Sequence, residues 1–536
     1  MRYRNKTHYR KAFSNDFLKY IKSLIFLIIF AVASVSALNA QDYEWTERIG
    51  SDGTDLGFAT VTDDEGNVYL SGMFSDTVDF NPAPWPINEA LRTADGDKSF
   101  GFVARYDENG NYNWVVVFKG TGDNNVAIEE LTLDNSGNII SAGYFNGDAQ
   151  IGEEGKNINT GKPTVLITKI SPEGDVLWSN HIISESGLSA FDIEVDNNDR
   201  IFITGYFSEE LTINNPEGFD ETYESGGSSD NGDGYYVAYN SIGEYINSNV
   251  IGGRAEDWLH SIEFDSNNNR YTLGIFSDTL RLEINGFEQE FITDGSRDIF
   301  ITKSIDFDQI TDIFILSGEG SIRPSDLSID NNDNIFISGY FSGEIDFNPG
   351  PGTDNIIVKD DVQDFVTKLG DNQEYEWTFT LDADIEKIFT NESNLYLAGK
   401  FDGEVDFNPG LIEDIHNSNN ESDDIFITKM NKAGIYENTI TFGGTYEDDI
   451  ADVHLNGNNL SATGYFENET DVVPGEDTDI IKSNGEEDIF FQKFTLGTTG
   501  IVDINDNSAK KIYPNPAQNE IHLEFEGSMG NSEITV

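Results

Sequence analysis

Apolar residues recur along this chain in short alternating runs rather than in helical stripes. Arg200–Phe207 reads "RIFITGYF", Asn334–Phe341 reads "NIFISGYF", and "DIFITK" stands at both Asp298–Lys303 and Asp424–Lys429. β-Branched and aromatic residues at period two predict strands. Turns rich in Asn, Asp and Gly separate them, such as Asn197-Asn198-Asp199, and these residues tolerate the positive φ of tight hairpins. No long amphipathic helix stands out anywhere.

The runs return in a fixed order. A Gly-x-Phe closes the second run at Gly72, Gly143, Gly205, Gly274, Gly339, Gly399 and Gly464, so the period is about 65 residues. Each period holds four runs. The first is aliphatic and ends in Asp, as in "DIEVD" to Asp196. The second ends in Gly-x-Phe. The third often opens with Asp, and the fourth often carries Trp, as at Trp114, Trp178 and Trp377. Four antiparallel strands per period predict a seven-bladed β-propeller. Tandem sandwich domains need about 100 residues each, so the period is too short for them. The array opens on a fourth-strand copy, Tyr43–Gly50, and closes on a third-strand copy, Asp488–Lys493. Pairing those two closes the ring and removes its exposed edges. The segment between second and third runs reads as a projecting loop or an added hairpin.

The pattern over residues 43–494 resembles the SBBP-type β-propeller repeat family. That resemblance implies a fold and leaves function open. Residues 495–511 form a polar linker, after which "YPNPAQNEIHLEF" opens residues 512–536. This tail resembles the start of the type IX secretion C-terminal sorting domain of Bacteroidetes, here in partial form. The resemblance implies the type IX machinery as a partner, and a secreted or outer-membrane-attached location. Bottom-up, the tail is only the start of a small β-domain, with Ile521, Leu523 and Phe525 alternating as a strand. Residues 1–40 fit an export signal: basic residues precede the apolar run Leu24–Val35, and small residues follow. That run is short for a membrane span, which needs about 20 residues, and no other stretch could cross a membrane.

Charge and chemistry narrow the function. Lys and Arg total 32 against 97 Asp and Glu, a formal charge of −65. Such a surface repels nucleic acid and anionic membranes. With no cysteine, disulfides, thiolate chemistry and Cys-ligated zinc are excluded. His181, His260, His416 and His454 occupy different repeat phases and show no metal-ligand spacing. No nucleophile elbow or phosphate loop is present, so no catalytic residue is named. Residues found in every repeat serve the repeat, and function is sought in the exceptions. Asp230-Asn231-Gly232-Asp233-Gly234 is not a repeat-standard turn, so Asp230 and Asp233 are the candidate calcium ligands. The long second-to-third loops and the links between repeats share one face. That face carries Trp85, Arg254, Trp258 and His260, the candidate partner-binding residues. The expectation is an exported binding or scaffold module for a protein or glycan. The alternative is a polysaccharide-processing hydrolase or lyase with a carboxylate site in the channel. A non-repeated cluster of His, Tyr or Arg at the channel would favour the latter.

Overall fold

The computed structural model describes residues 41–496, apart from 82–89, 97, 122–123, 153–154, 216–217, 227–230, 306–308, 409, 411 and 475–477. It also describes the strands Ala509–Tyr513 and His522–Phe525. Trp85 and Asp230 lie outside the described residues. The chain divides into two units, one spanning Tyr43–Thr495 and the other combining Met1–Asp42 with Leu496–Val536. The described part of the second unit is an antiparallel pair, with Tyr513 opposite His522.

The large unit is built from antiparallel sets of four strands, numbered here as repeats. Repeat 1 comprises Leu56–Thr62, Val68–Phe74, Phe100–Tyr106 and Tyr112–Gly120. Repeat 2 comprises Val126–Leu133, Ile139–Ile151, Asn157–Ile170 and Val176–Ser184. Repeat 3 comprises Leu188–Val195, Ile201–Phe207, Asp233–Tyr239 and Tyr245–Ile251. Repeat 4 comprises Trp258–Phe264, Arg270–Phe276, Asp298–Ile305 and Gln309–Leu316. Repeat 5 comprises Ser321–Ile329, Ile335–Asp346, Asn355–Leu369 and Tyr375–Leu381. Repeat 6 comprises Asp384–Thr390, Asn394–Phe401, Asp424–Asn431 and Tyr436–Gly444. Repeat 7 comprises Asp448–Asn456, Asn459–Asp471 and Ile480–Leu496, and Gln41–Ile49 is its fourth strand.

The first strands touch one another in sequence, and the first strand of repeat 7 touches that of repeat 1. The arrangement is β-propeller-like: a cycle of sheets with first strands innermost. The core sits between neighbouring sheets. Repeat 1 packs Val68, Leu70 and Phe102 against Ile489 and Phe491 of repeat 7, with Trp45 at the edge. Repeats 3 and 4 share Phe202, Tyr236, Leu259 and Phe300. Each buried Phe of this kind contributes about 1.5–3 kcal/mol. The second-to-third segments form extra hairpins in repeats 1, 3, 4 and 6, for example Thr279–Ile284 with Phe287–Ile292. In repeats 2, 5 and 7 the second and third strands simply run on.

Scaffold residues behave as their recurrence predicts. The turn aspartates accept backbone N–H groups two and four residues on, as Asp330 does from Asn332 and Asn334 at 2.8 and 3.0 Å. Trp114 Nε1–H donates to the Pro172 carbonyl at 2.9 Å, and Gly174 of the next repeat lies on its ring.

Candidate functional site

The repeated glycines shape the channel. At each one, a Cβ would sit 1.9–2.4 Å from a backbone carbonyl of the first strand: Leu56 for Gly72, Trp258 for Gly274, Asp384 for Gly399. Only glycine leaves room for that approach. Just past the glycine's partner, every first strand makes a β-bulge. The extra residues are Phe58, Glu129, Phe191, His260, Ser325, Glu386 and Ala451. A bulge re-aims its side chain. Six of them, all but Phe58, line a single cavity of about 480 Å³ at the end where first strands begin and second strands finish. The cavity therefore lies at the mouth of the ring, on the long-loop face.

One side of the cavity is aromatic. Phe191 stacks on His260 at 5.4 Å and on Tyr206 at 5.8 Å, with Trp258 at 5.5 Å from both Phe191 and Tyr206. The Arg323 guanidinium lies over the Trp258 ring at 4.9 Å. Glu256 holds Arg323 at 3.8 Å and pairs more closely with Arg297. Burial pushes His260 down to about 4, helped by Lys387 and Arg323, so its imidazole is neutral. His260 Nδ1 lies 3.1 Å from Ser261 Oγ.

The other side is acidic. Burial pushes Glu129 up to about 7. Glu386 is also raised, by burial and then by the Asp449 charge. Just below comes a second layer, one residue after each bulge: Ala59, Glu130, Asp192, Ser261, Asp326, Lys387 and Asp452. Asp192, Asp326 and Asp452 accept the free-edge N–H groups of Ile262, Ile388 and Thr60 in the following repeat, at 2.8, 2.9 and 2.8 Å. Otherwise these inner-edge donors would face the channel unpaired. Burial raises Asp192 to about 7 and Asp452 to about 6, and lifts Glu130 well above the usual range. Burial opposes the charge on Lys387, but Asp326, Asp452, Glu130 and Asp192 hold its ammonium well above the ordinary value. The Asp452 carboxylate is 3.9 Å away.

Of the residues singled out in the sequence, Trp258 and His260 meet in this cavity. Arg254 is exposed and not among its lining residues. Asp233 is buried, 4% exposed, and accepts the Gly226 N–H at 2.8 Å. Sequence reading missed Phe191, Glu129, Glu386, Arg323 and Lys387. A signal was present: each bulge residue precedes its Gly-x-Phe glycine by about 14 residues, and this position varies while its neighbours repeat. Within the cluster at the channel mouth, His260 and Arg323 depart from the repeat, while Tyr206 and Tyr340 stand at the middle position of Gly-x-Phe, which is also Tyr at Tyr144 and Tyr465.

No protein-family model matches the chain. An alignment 225 positions long, covering 37% of the chain, is 27% identical to an uncharacterized WD repeat-containing protein, L264, of Acanthamoeba polyphaga mimivirus. The match spans 16% of that protein. Among solved structures, the polysaccharide lyase Uly1 aligns at 8% identity and a TM-score of 0.41, covering 85% of this chain and all of the lyase. The endosialidase of phage phi92 aligns at 8% identity and a TM-score of 0.35, over 91% of this chain and 76% of the endosialidase. Sqt1 from Chaetomium thermophilum aligns at 10% identity and a TM-score of 0.35, over 79% and 97% of the two chains.

Proposed function

We propose that this chain is an exported seven-bladed β-propeller whose channel mouth binds a glycan. The observation that carries the reading is the one-sided aromatic shelf of Phe191, Trp258 and His260, backed by Tyr206, in a cavity that also presents Glu129, Glu386, Arg323 and Lys387. Sugar rings present an apolar face to aromatic side chains and hydroxyls to carboxylates. The cavity suits one or two sugar units and not a broad protein interface. Residues 1–40 serve export in this reading, and residues 512–536 begin a type IX sorting domain. The product is secreted or held at the outer surface.

A second reading has its own support. Glu129 carries a carboxyl raised to about 7 by burial, in the same cavity as neutral His260 and Glu386. A carboxylic acid poised near neutrality is what a general acid requires. Polysaccharide hydrolysis or elimination at the channel mouth is therefore the alternative. A glycan screen with the full chain tests both. Binding lost in Trp258→Ala and retained in Glu129→Gln supports the module. Turnover lost in Glu129→Gln supports the enzyme. No binding and no turnover overturns both.

A further inference from the structure

One cation at the channel mouth has no anion bonded to it. Each first strand sets a residue opposite the middle position of Gly-x-Phe. Around the cycle these residues are Leu56, Ala127, Ser189, Trp258, Arg323, Asp384 and Asp449. Arg323 is the single basic residue at this level. Asp449, also at this level, takes the Lys400 ammonium at 2.6 Å and the Tyr465 hydroxyl at 3.0 Å. Arg323 has no comparable partner. Its one ion pair among the described residues is with Glu256 at 3.8 Å, beyond hydrogen-bond distance, and Arg297 holds that carboxylate more closely. The Arg323 side chain donates no hydrogen bond among the described residues. Every other arginine described, exposed Arg254 aside, donates one to a carboxylate, a carbonyl or a hydroxyl.

The surroundings hold Arg323 in place without neutralising it. Its side chain is 27% exposed and lines the cavity, and the Trp258 ring lies under the guanidinium at 4.9 Å. A guanidinium stacked by its face on a ring keeps its N–H groups in its own plane, in a fork that matches a carboxylate. The other charges at the mouth are answered elsewhere. The Lys387 ammonium faces Asp326, Asp452, Glu130 and Asp192. Asp384 and Glu386 both feel the Lys400 charge. Burial lifts Glu129 to about 7 and Glu130 well above the usual range, so below neutrality both carry a proton. The charge of Arg323 still reaches His260, where it helps keep the imidazole neutral.

We propose that the glycan bound at the channel mouth carries a carboxylate, as a uronic acid does, and that Arg323 is the residue that selects it. This rests on the reading of the cavity as a glycan site and adds the charge of the sugar. The shelf of Phe191, Trp258 and His260 takes the apolar face of the ring, and the carboxylate at the ring's edge meets the Arg323 fork. A neutral sugar leaves that fork unmet. A sulfate ester is the other anion a glycan can bring to it, and the experiment separates the two.

The test is binding of the full chain to immobilised oligomers of galacturonate, glucuronate and mannuronate, each beside its carboxyl-reduced neutral form, and to sulfated galactan oligomers. Wild type is expected to bind at least one uronate about tenfold or more tightly than its reduced form, the size of one charge-assisted hydrogen bond. That ratio is expected to collapse toward one in Arg323→Gln. A merely structural role for Arg323 beneath the shelf would weaken both forms together and leave the ratio where it was. Equal binding of acidic and reduced forms by wild type overturns the proposal and leaves the glycan reading standing, and so does an unchanged ratio in Arg323→Gln. Sulfated oligomers bound more tightly than every uronate overturn the choice of carboxylate. Binding to no glycan, acidic or neutral, overturns the proposal and the glycan reading together. If Arg323→Gln does not fold, Arg323→Lys keeps the charge without the fork: a reduced ratio supports the proposal, and an unchanged one overturns it.

Discussion

Replacing Lys387 by methionine removes the one basic side chain at its level of the channel. The ammonium faces Asp326, Asp452, Glu130 and Asp192, with Asp452 at 3.9 Å. Two unit charges at about 4 Å attract by about 1 kcal/mol in water and about 4 kcal/mol at an effective dielectric of 20. The Lys387 side chain is 31% exposed, so channel water screens it. The loss expected at pH 8 is therefore about 2–3 kcal/mol. The sign depends on which partners are ionised. Asp452 titrates at about 6 and Asp192 at about 7, both raised by burial. Above that range they are charged and need Lys387. At pH 5 they are protonated, and methionine fills the same space. The folded-state pKa of Lys387 is raised, so its contribution persists until pH climbs past the ordinary lysine range and then fades. Lys387→Met is thus expected to be clearly destabilised between pH 7.5 and 9, and by less than about 1 kcal/mol at pH 5. Urea unfolding followed by tryptophan fluorescence at the two pH values reads this. An equal loss at both would refute the electrostatic account of the channel.

Other expectations follow from single contacts. Gly399→Ala places a methyl 1.9 Å from the Asp384 carbonyl, so it is expected to lower stability by about 1–3 kcal/mol or more by overpacking. A Tm within error of wild type would contradict the bulge geometry. Asp364 accepts the Ile385 N–H at 2.8 Å, and burial raises its carboxyl to about 8. A raised carboxyl stabilises fully below its unfolded pKa near 3.8 and loses that benefit as pH climbs through 8. Asp364→Asn is therefore expected to match wild type near pH 5 and to melt higher than wild type at pH 9. A Tm difference that does not change with pH would count against this. Arg48→Met leaves the buried Asp488 without its ion pair, and is expected to cost about 3–5 kcal/mol at neutral pH. Urea unfolding that shows no loss would mean the ring closure does not depend on that pair.

The strand order, the added hairpins and the pairing of Tyr43–Ile49 with repeat 7 were legible in the sequence. Each rests on local period-two patterning repeated at a fixed spacing. The recurrent Trp114 packs against the next repeat, and the recurrent turn aspartates such as Asp330 accept backbone N–H groups of their own turns. The site was half legible. Trp258 and His260 stood out as rare residue types and lie in the first strand of repeat 4, whereas Arg254, in the link before that strand, is exposed. Glu129, Glu386 and Lys387 were hidden because acidic residues are everywhere, and nothing local marks which of them a bulge turns inward. That depends on the carbonyl pressed against a glycine two strands' length away in sequence. Of the calcium candidates, Asp230 lies outside the described residues and Asp233 is buried at the joint with the next repeat, where the Asp257 N–H donates to the Gly232 carbonyl.

The central claim is that a glycan binds where the bulge residues of six repeats converge. The most direct measurement is a glycan array probed with the full chain as wild type, Trp258→Ala, Phe191→Ala and Trp114→Ala. The account predicts a defined set of glycans bound by wild type and by Trp114→Ala, with signal reduced at least tenfold in Trp258→Ala and Phe191→Ala, since stacking and aromatic anchors carry most of such affinity. Binding that survives both channel-mouth substitutions, or falls equally in Trp114→Ala, would contradict it.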